Sequence, residues 1–249
     1  MMQMFQARYR LCDLFGIPIY VDMSFAVLLL LFVLNSGSFS FGIAAALTLA
    51  VSVTAHELGH ALAAAAFGYR TRDINLSLLG GCASLIALPR KAWQEFLTAI
   101  AGPAVSFLSA ALIFAASVAI PVESYFLAAV MHYAFYMNIM LGVFNLLPGF
   151  PLDGGRIFRS VMSAFMSRAK ATLIAMWVGR SVAILLALRG IHSIFTGGNL
   201  GFISVLIAWM IWREGWREYQ MALAEDRWGG PWRQQDFNAR VSPPPYGKD

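Results

Sequence analysis

Charged side chains are scarce in this chain. Asp, Glu, Lys and Arg make up 12% of its 249 residues, against about 25% in soluble domains. That shortage excludes an ordinary water-soluble enzyme. With 59% hydrophobic residues, the chain reads as an integral membrane protein with little mass left for a soluble domain. Cysteine is nearly absent. Cys12 and Cys82 lie far apart, so no disulfide framework is expected and both read as free thiols. The net charge of +5 calls for no nucleic-acid partner, because the basic residues fall between apolar runs, as they do in membrane-protein loops. A cleavable signal peptide is not expected: the first apolar run follows Asp13 with no small-residue cleavage site close behind. Histidine is rare too, with four in all, yet two stand four residues apart inside one apolar run.

That run, residues 41 to 66, reads FGIAAALTLAVSVTAHELGHALAAAA and is long enough to cross a bilayer. At its centre is His56-Glu57-Leu58-Gly59-His60, an H-E-x-x-H motif. On a helix, positions i and i+4 share a face, so His56 and His60 can direct ring nitrogens at one ion. Glu57 can reach a water beside that ion and serve as general base. Two His plus a carboxylate is a familiar catalytic set for zinc, one Zn2+ per chain, with an open position for water. The plain alternative is a solvated polar patch. Against it stands the cost of ionisable groups in a membrane helix, about 2.5–3.5 kcal/mol each near the centre. A bound cation offsets that cost.

The chain is expected to be an all-α membrane protein with six transmembrane helices. These are residues 17 to 34, the H-E-x-x-H helix closed by Gly68, then 96 to 120, 125 to 144, 171 to 188 and 200 to 212. Residues 1 to 16 read as an interfacial start. Asp22 lies near the beginning of the first span, and Arg180 within the fifth is read as buried or snorkelling. Between spans 2 and 3, residues 69 to 90 are too polar and Gly-rich for a span. INLSLL and ASLIAL read as strands of a short β-hairpin around Gly80-Gly81. Its open edge suits an extended peptide added as a further strand; the alternative is a mere connector. The membrane domain covers residues 1 to 215. Residues 216 to 249 form a polar, flexible tail, in which SPPPY matches a Pro-ligand pattern by coincidence.

After span 4 the chain breaks: residues 145 to 156 read NLLPGFPLDGGR. Prolines and glycines forbid a regular helix there. Broken backbone at membrane depth is tolerated only against protein or a water-lined cavity. Asp153 in this break is the strongest candidate for the third ligand; the alternative is a helix N-cap. His132 is a second candidate, but it lies about three turns before the break and reads as a packed, hydrogen-bonded side chain. Asn145 can donate to a substrate carbonyl or a developing oxyanion. Glu95 opens span 3, and Ala101-Gly102-Pro103 behind it permits close helix packing. Six spans put both termini on the face that receives Arg8, Arg10, Arg70, Arg72, Arg90, Lys91, Arg156, Arg159, Arg168 and Lys170. By the positive-inside rule that face is cytoplasmic, and it brings the H-E-x-x-H helix and Asp153 to the same depth.

These residues resemble the site-2 protease family of intramembrane zinc metalloproteases. His56 to His60 matches the first family motif, and residues 145 to 156 match the second. Ala101-Gly102-Pro103, with Glu95 ahead of it, resembles a further shared stretch. The similarity covers about residues 10 to 215. It implies zinc held by His56, His60 and Asp153, Glu57 as general base, and cleavage of a peptide bond in or near a substrate's transmembrane helix. Many relatives also carry PDZ or CBS domains, for which this sequence has no room, and Asp22 stands where relatives often have His.

The reading is an intramembrane zinc endopeptidase, with Asn145, Gly80, Gly81, Cys82 and Asn138 as candidate substrate-binding residues. Its partners would be the lipid bilayer and single-span substrates such as anti-sigma factors, tethered transcription factors or signal-peptide remnants. The location would be the bacterial inner membrane, termini and active site toward the cytoplasm. The rival is a non-catalytic metal-binding adaptor or transporter of the same fold. The polar residues cluster on one side, with apolar outer halves, which favours the enzyme.

Overall fold

A computed structural model describes residues 8–77, 80–85, 91–121, 123–197 and 201–228, with the backbone alone at residues 35, 80, 82–85, 227 and 228. In chain order the elements are β1 (Arg8–Leu14), β2 (Ile17–Asp22), α1 (Met23–Asn35), α2 (Phe39–Ala66), β3 (Thr71–Ser77), β4 (Gly80–Leu85), α3 (Ala92–Ala119), α4 (Tyr125–Asn145), α5 (Asp153–Met162), α6 (Arg168–Phe195) and α7 (Gly201–Trp228). They fall into two compact units: Met1–Leu85 with Leu97–Leu146, and Ile86–Phe96 with Leu147–Asp249.

In the first unit a four-stranded sheet, ordered β1-β2-β3-β4, packs on apolar helices. The pairing of β2 with β3 is parallel, with Ile19 opposite Ile74. Alternate residues of β2 and β3 turn inward, so Ile17, Ile19, Ile74 and Leu76 join Phe25 of α1 and Leu49, Val53 and Ala61 of α2 in one core. Asp22 ends β2 and caps α1, its carboxylate accepting from Phe25 N–H at 3.0 Å and from the Ser24 hydroxyl at 2.6 Å. Helix α2 closes on Gly68 at φ +84°, where Tyr69 N–H returns to the Ala64 carbonyl at 3.0 Å.

The first expected span is divided. Residues 17 to 22 are strand, and α1 has 13 residues, short of the roughly 20 that cross a bilayer. The hairpin expected between α2 and α3 exists, but Gly80 and Gly81 lie inside β4, opposite Ser77 and Leu76, and not at the turn. Four of the described helices are long and apolar enough to span: α2, α3, α4 and α6.

The second unit holds the first turn of α3, then α5, α6 and α7. Helix α7 folds back along α6, with Gly201 against Gly190 and Gly215 against Met176. Its first half is apolar and its second half charged. It runs unbroken to Trp228, beyond the expected start of a flexible tail at 216; the Pro-rich stretch at 242–246 lies outside the described residues. Gly149 and Gly179 approach so closely that a Cβ on Gly149 would lie 3.0 Å from the Gly179 Cα. The broken segment therefore seats directly on α6, with Phe150 fully buried beneath it.

Candidate metal centre

His56, Glu57 and His60 lie on the buried face of α2. Each imidazole is oriented from behind by α3. His60 Nδ1 donates to the Thr98 carbonyl at 2.7 Å. A carbonyl only accepts, so the bond fixes the tautomer and turns a lone pair outward at Nε2. His56 Nδ1 bonds the Ser106 hydroxyl at 2.9 Å. The two Nε2 atoms then face each other at 3.2 Å. Two nitrogens bound to one tetrahedral zinc at its usual bond length stand about 3.3 Å apart. The pair matches that span before any ion is considered, and ligands braced through the far ring nitrogen are the rule at zinc sites.

The space in front of the pair is cleared by a glycine. A Cβ at Gly102 on α3 would lie 2.7 Å from His56 Nε2 and closer still to His60 Nε2. No side chain fits there, while an ion bound to both nitrogens needs the room. Gly81 does the same for the carboxylate of Glu57: a Cβ on it would lie 2.7 Å from Glu57 Cδ and 2.8 Å from Oε1. Glu57 therefore lies against the backbone of β4, an edge strand of the described sheet. Donor chemistry, spacing and cleared volume all fit a divalent zinc ion at His56 and His60.

Among the other candidates in this unit, Asn138 is buried, and its amide N–H groups go to the Ser52 hydroxyl at 3.0 Å and the Ala134 carbonyl at 2.9 Å. Asn145, at the end of α4, donates to the Leu141 carbonyl at 3.0 Å. His132 is exposed and stacks edge-on against Tyr136, ring centroids 4.7 Å apart, rather than packing inside. Cys12 is a free, exposed thiol. Cys82 lies in β4, and its side chain is outside the described residues.

Asp153 belongs to the second unit. It is the first residue of α5, not its cap: that position is Leu152, which has no side-chain cap bond. The carboxylate is buried and stands in the helix's first turn, where negative charge is favoured. Glycines shape its surroundings again, since a Cβ on Gly155 would lie 2.7 Å from the Gly149 carbonyl carbon.

Six residues on, Arg159 anchors α5 through an ion network the sequence did not reveal. Its Nε donates to Glu95 at 3.0 Å and its Nη1 to Glu218 at 2.7 Å. Arg168 bridges Glu95 at 2.7 Å and Glu225 at 3.1 Å. The Arg159 guanidinium also lies over the Phe150 ring, 4.8 Å from its centroid. Burial would push the Glu218 carboxyl up, but Arg159 and Arg156 outweigh it and hold the group below its ordinary value. Burial likewise works against the Arg159 charge, and Glu95 and Glu218 overcome it, so its pKa is raised. Burial keeps Glu225 above the usual carboxylate range despite Arg168 and Arg159. The signal in the sequence was faint: five ionic residues spread from position 95 to 225 in a chain otherwise poor in charge.

Braced imidazoles and a neighbouring carboxylate, on a helix of membrane-spanning length, are what a metal-dependent membrane enzyme requires. The chain belongs to peptidase family M50, whose model matches residues 44–126 and 121–188. It is 37% identical over 222 residues to a candidate zinc metalloprotease of Synechocystis, covering 81% of this chain and 57% of the relative. A zinc metalloprotease of Methanocaldococcus jannaschii is 35% identical over 190 residues, 74% of this chain and 54% of that protein. The chain thus spans about half the length of these curated relatives. Among solved structures, a site-2 protease from Methanocaldococcus jannaschii superposes with a TM-score of 0.64 at 32% identity, covering 86% of this chain and 95% of the other.

Proposed function

We propose that this protein is an intramembrane zinc endopeptidase of the site-2 protease type. The observation that carries the reading is the His56–His60 pair, with its 3.2 Å Nε2 separation and the space kept clear at Gly102. Asp153 is the third protein ligand in this proposal. Its support is a buried carboxylate in the first turn of α5, together with family membership. Bound zinc supplies Lewis acidity toward a scissile carbonyl and toward water. Glu57 takes the proton of the attacking water and returns it to the leaving amine. Thr98 and Ser106 hold the imidazoles in the ligating orientation. In this reading the Asn145 amide, which donates to the Leu141 carbonyl in the structure, turns to the oxygen of the scissile carbonyl.

A substrate helix must unwind before its carbonyl is accessible, and the β4 edge offers hydrogen bonds to an extended strand. Gly80, Gly81 and Cys82 lie on that edge. Suitable substrates are single-span proteins of the anti-sigma-factor, tethered-transcription-factor or signal-peptide-remnant kinds. The bacterial inner membrane, with termini and active site cytoplasmic, fits the positions of the basic residues. Two features support that side assignment. The β2–β3 pairing ties the N-terminal strands to the loop after α2. Helix α7 returns Glu225 to Arg168 at the start of α6.

Glu57→Gln tests the mechanism. The variant is expected to keep its zinc and its fold, and to lose about 10²- to 10⁴-fold in cleavage of a model single-span substrate, the usual share of a general base. Turnover within tenfold of wild type would remove Glu57 from the chemistry.

A further inference from the structure

The second unit holds a cluster that the zinc chemistry does not use. Arg180 of α6 stands among three indoles. Its guanidinium carbon lies 4.4 Å from the Trp212 ring centroid, 5.1 Å from Trp177 and 5.7 Å from Trp216. Ring faces attract the charge, but they do not satisfy five in-plane N–H donors. Nε is buried without a hydrogen-bond partner. Among the described residues no carboxylate pairs with Arg180, whereas Arg159, Arg168, Arg213 and Arg217 each hold a glutamate.

Two features show where this cage faces. Trp177, Trp212 and Trp216 are 56%, 43% and 48% exposed, so it opens outward from the unit. On α7 it sits where the helix changes from apolar residues to Arg213, Glu214, Arg217 and Glu218, with Arg213 over Trp209 at 5.0 Å; the pairing of α6 with α7 therefore sets the membrane boundary nearer Arg180 than the span expected at 171 to 188 does. Tryptophan and snorkelling arginine belong at that boundary of a membrane, beside the lipid phosphates. Glu214, the acid nearest in sequence to Trp212 and Trp216, is held by Arg213 and Arg217 at 2.7 and 3.0 Å. Arg180, Arg213 and Arg217 thus outnumber Glu214.

We propose that Arg180, caged by Trp177, Trp212 and Trp216, binds the phosphate of an anionic phospholipid headgroup. The guanidinium fork suits a phosphate bidentately, as an ammonium does not. Three indoles lie within 5.7 Å of the guanidinium carbon and limit where it can move. Because the cage draws on both helices, the lipid fastens α6 to α7. The inference stands on the exposure and charge of this cluster and is independent of the zinc site.

The test uses the full chain purified in detergent. It is titrated with dioctanoyl phosphatidylglycerol, dioctanoyl phosphatidylcholine and inorganic phosphate, with bound lipid counted by native mass spectrometry. Phosphatidylglycerol is expected to bind saturably, at least about tenfold tighter than phosphatidylcholine. Arg180→Gln should weaken it about tenfold or more, and Arg180→Lys about threefold or more, since charge without the fork is not enough. Trp212→Leu should weaken it as well, and it keeps the test open if Arg180→Gln does not fold. Arg189→Gln, an exposed arginine elsewhere on α6, should leave it unchanged. The proposal is overturned if Arg180→Gln or Trp212→Leu binds within about twofold of wild type, or if the two lipids bind equally. It is also overturned if inorganic phosphate displaces the lipid at matched concentration, which would make this a free-anion site.

Discussion

The two units bury ionisable groups in opposite ways. In the second, charges are matched within the fold: Arg159 and Arg168 are shared among Glu95, Glu218 and Glu225 at 2.7 to 3.1 Å. In the first, two ring nitrogens converge to 3.2 Å on a space that Gly102 keeps clear. A completed network steadies a helix; ring nitrogens that converge on one point are the arrangement a bound metal ion needs. Burial is similar in the two sets, at 2% and 7% exposure for His56 and His60 against 3% and 5% for Arg159 and Glu95. What separates the two sets is that opposite charges meet in one, and two ring nitrogens converge in the other.

The contrast breaks most sharply at Gly102. Gly102→Ala puts a methyl group 2.7 Å from His56 Nε2, while alanine favours the helix by about 1 kcal/mol. Zinc content and cleavage should both fall below about a tenth of wild type with helicity unchanged, since displacing a ligand nitrogen removes a bond the ion requires. Normal zinc in this variant would show that the cleared space has no part in the site. Arg159→Met should do the reverse. It leaves buried carboxylates without their partner, a loss of about 3–5 kcal/mol, seen as a fall in melting temperature of about 10 °C. The folded fraction should still bind through its histidines. An unchanged melting temperature would mean that the network does not stabilise the unit.

The smallest effect concerns pH. Glu225 is held above its ordinary value of 4.5 by burial, so its contribution to stability is present at low pH and lost as pH rises through the raised value. Glu218 is held below 4.5, and its contribution is present above that pH and lost as the solution turns more acidic. Glu225→Gln should therefore flatten the decline above pH 4.5 and leave the melting temperature at pH 7 equal or slightly higher. A drop of more than about 4 °C, near 1 kcal/mol, would mean that its pairing with Arg168 outweighs burial.

The approach of His56 to His60 was legible in the sequence because i,i+4 spacing on a helix is local; the Pro-Gly break likewise marks Asp153 as a candidate. The sequence was less informative where one apolar run serves two elements. Residues 17 to 34 have the length of a span, and only the alternation of Ile17 and Ile19 marks the strand that ends at Asp22. Gly80-Gly81 reads as a turn because glycine weakens strands; in place, both lie in β4 and Gly81 gives room to Glu57. Ala101-Gly102-Pro103 reads as a close-packing stretch, and α2 does pack tightly on it: a Cβ on Gly59 would lie 2.9 Å from the Ala101 carbonyl oxygen, while Gly102 faces the imidazole pair. The ion network escaped notice because its members come from four helices, and no periodicity links Glu95 to Glu225.

The proposed function rests on one zinc held by His56 and His60, with Asp153 as the proposed third ligand. Its most direct measure is zinc per chain by elemental analysis of wild type, His60→Ala and Asp153→Asn, each checked for helicity. Asparagine is a neutral and weaker donor, and a dication in a low-dielectric site depends strongly on the missing charge. About one zinc per wild-type chain is expected, with most of it lost in both variants while the helical signal persists. Full zinc in Asp153→Asn would move the third ligand elsewhere, and full zinc in His60→Ala would contradict the site itself.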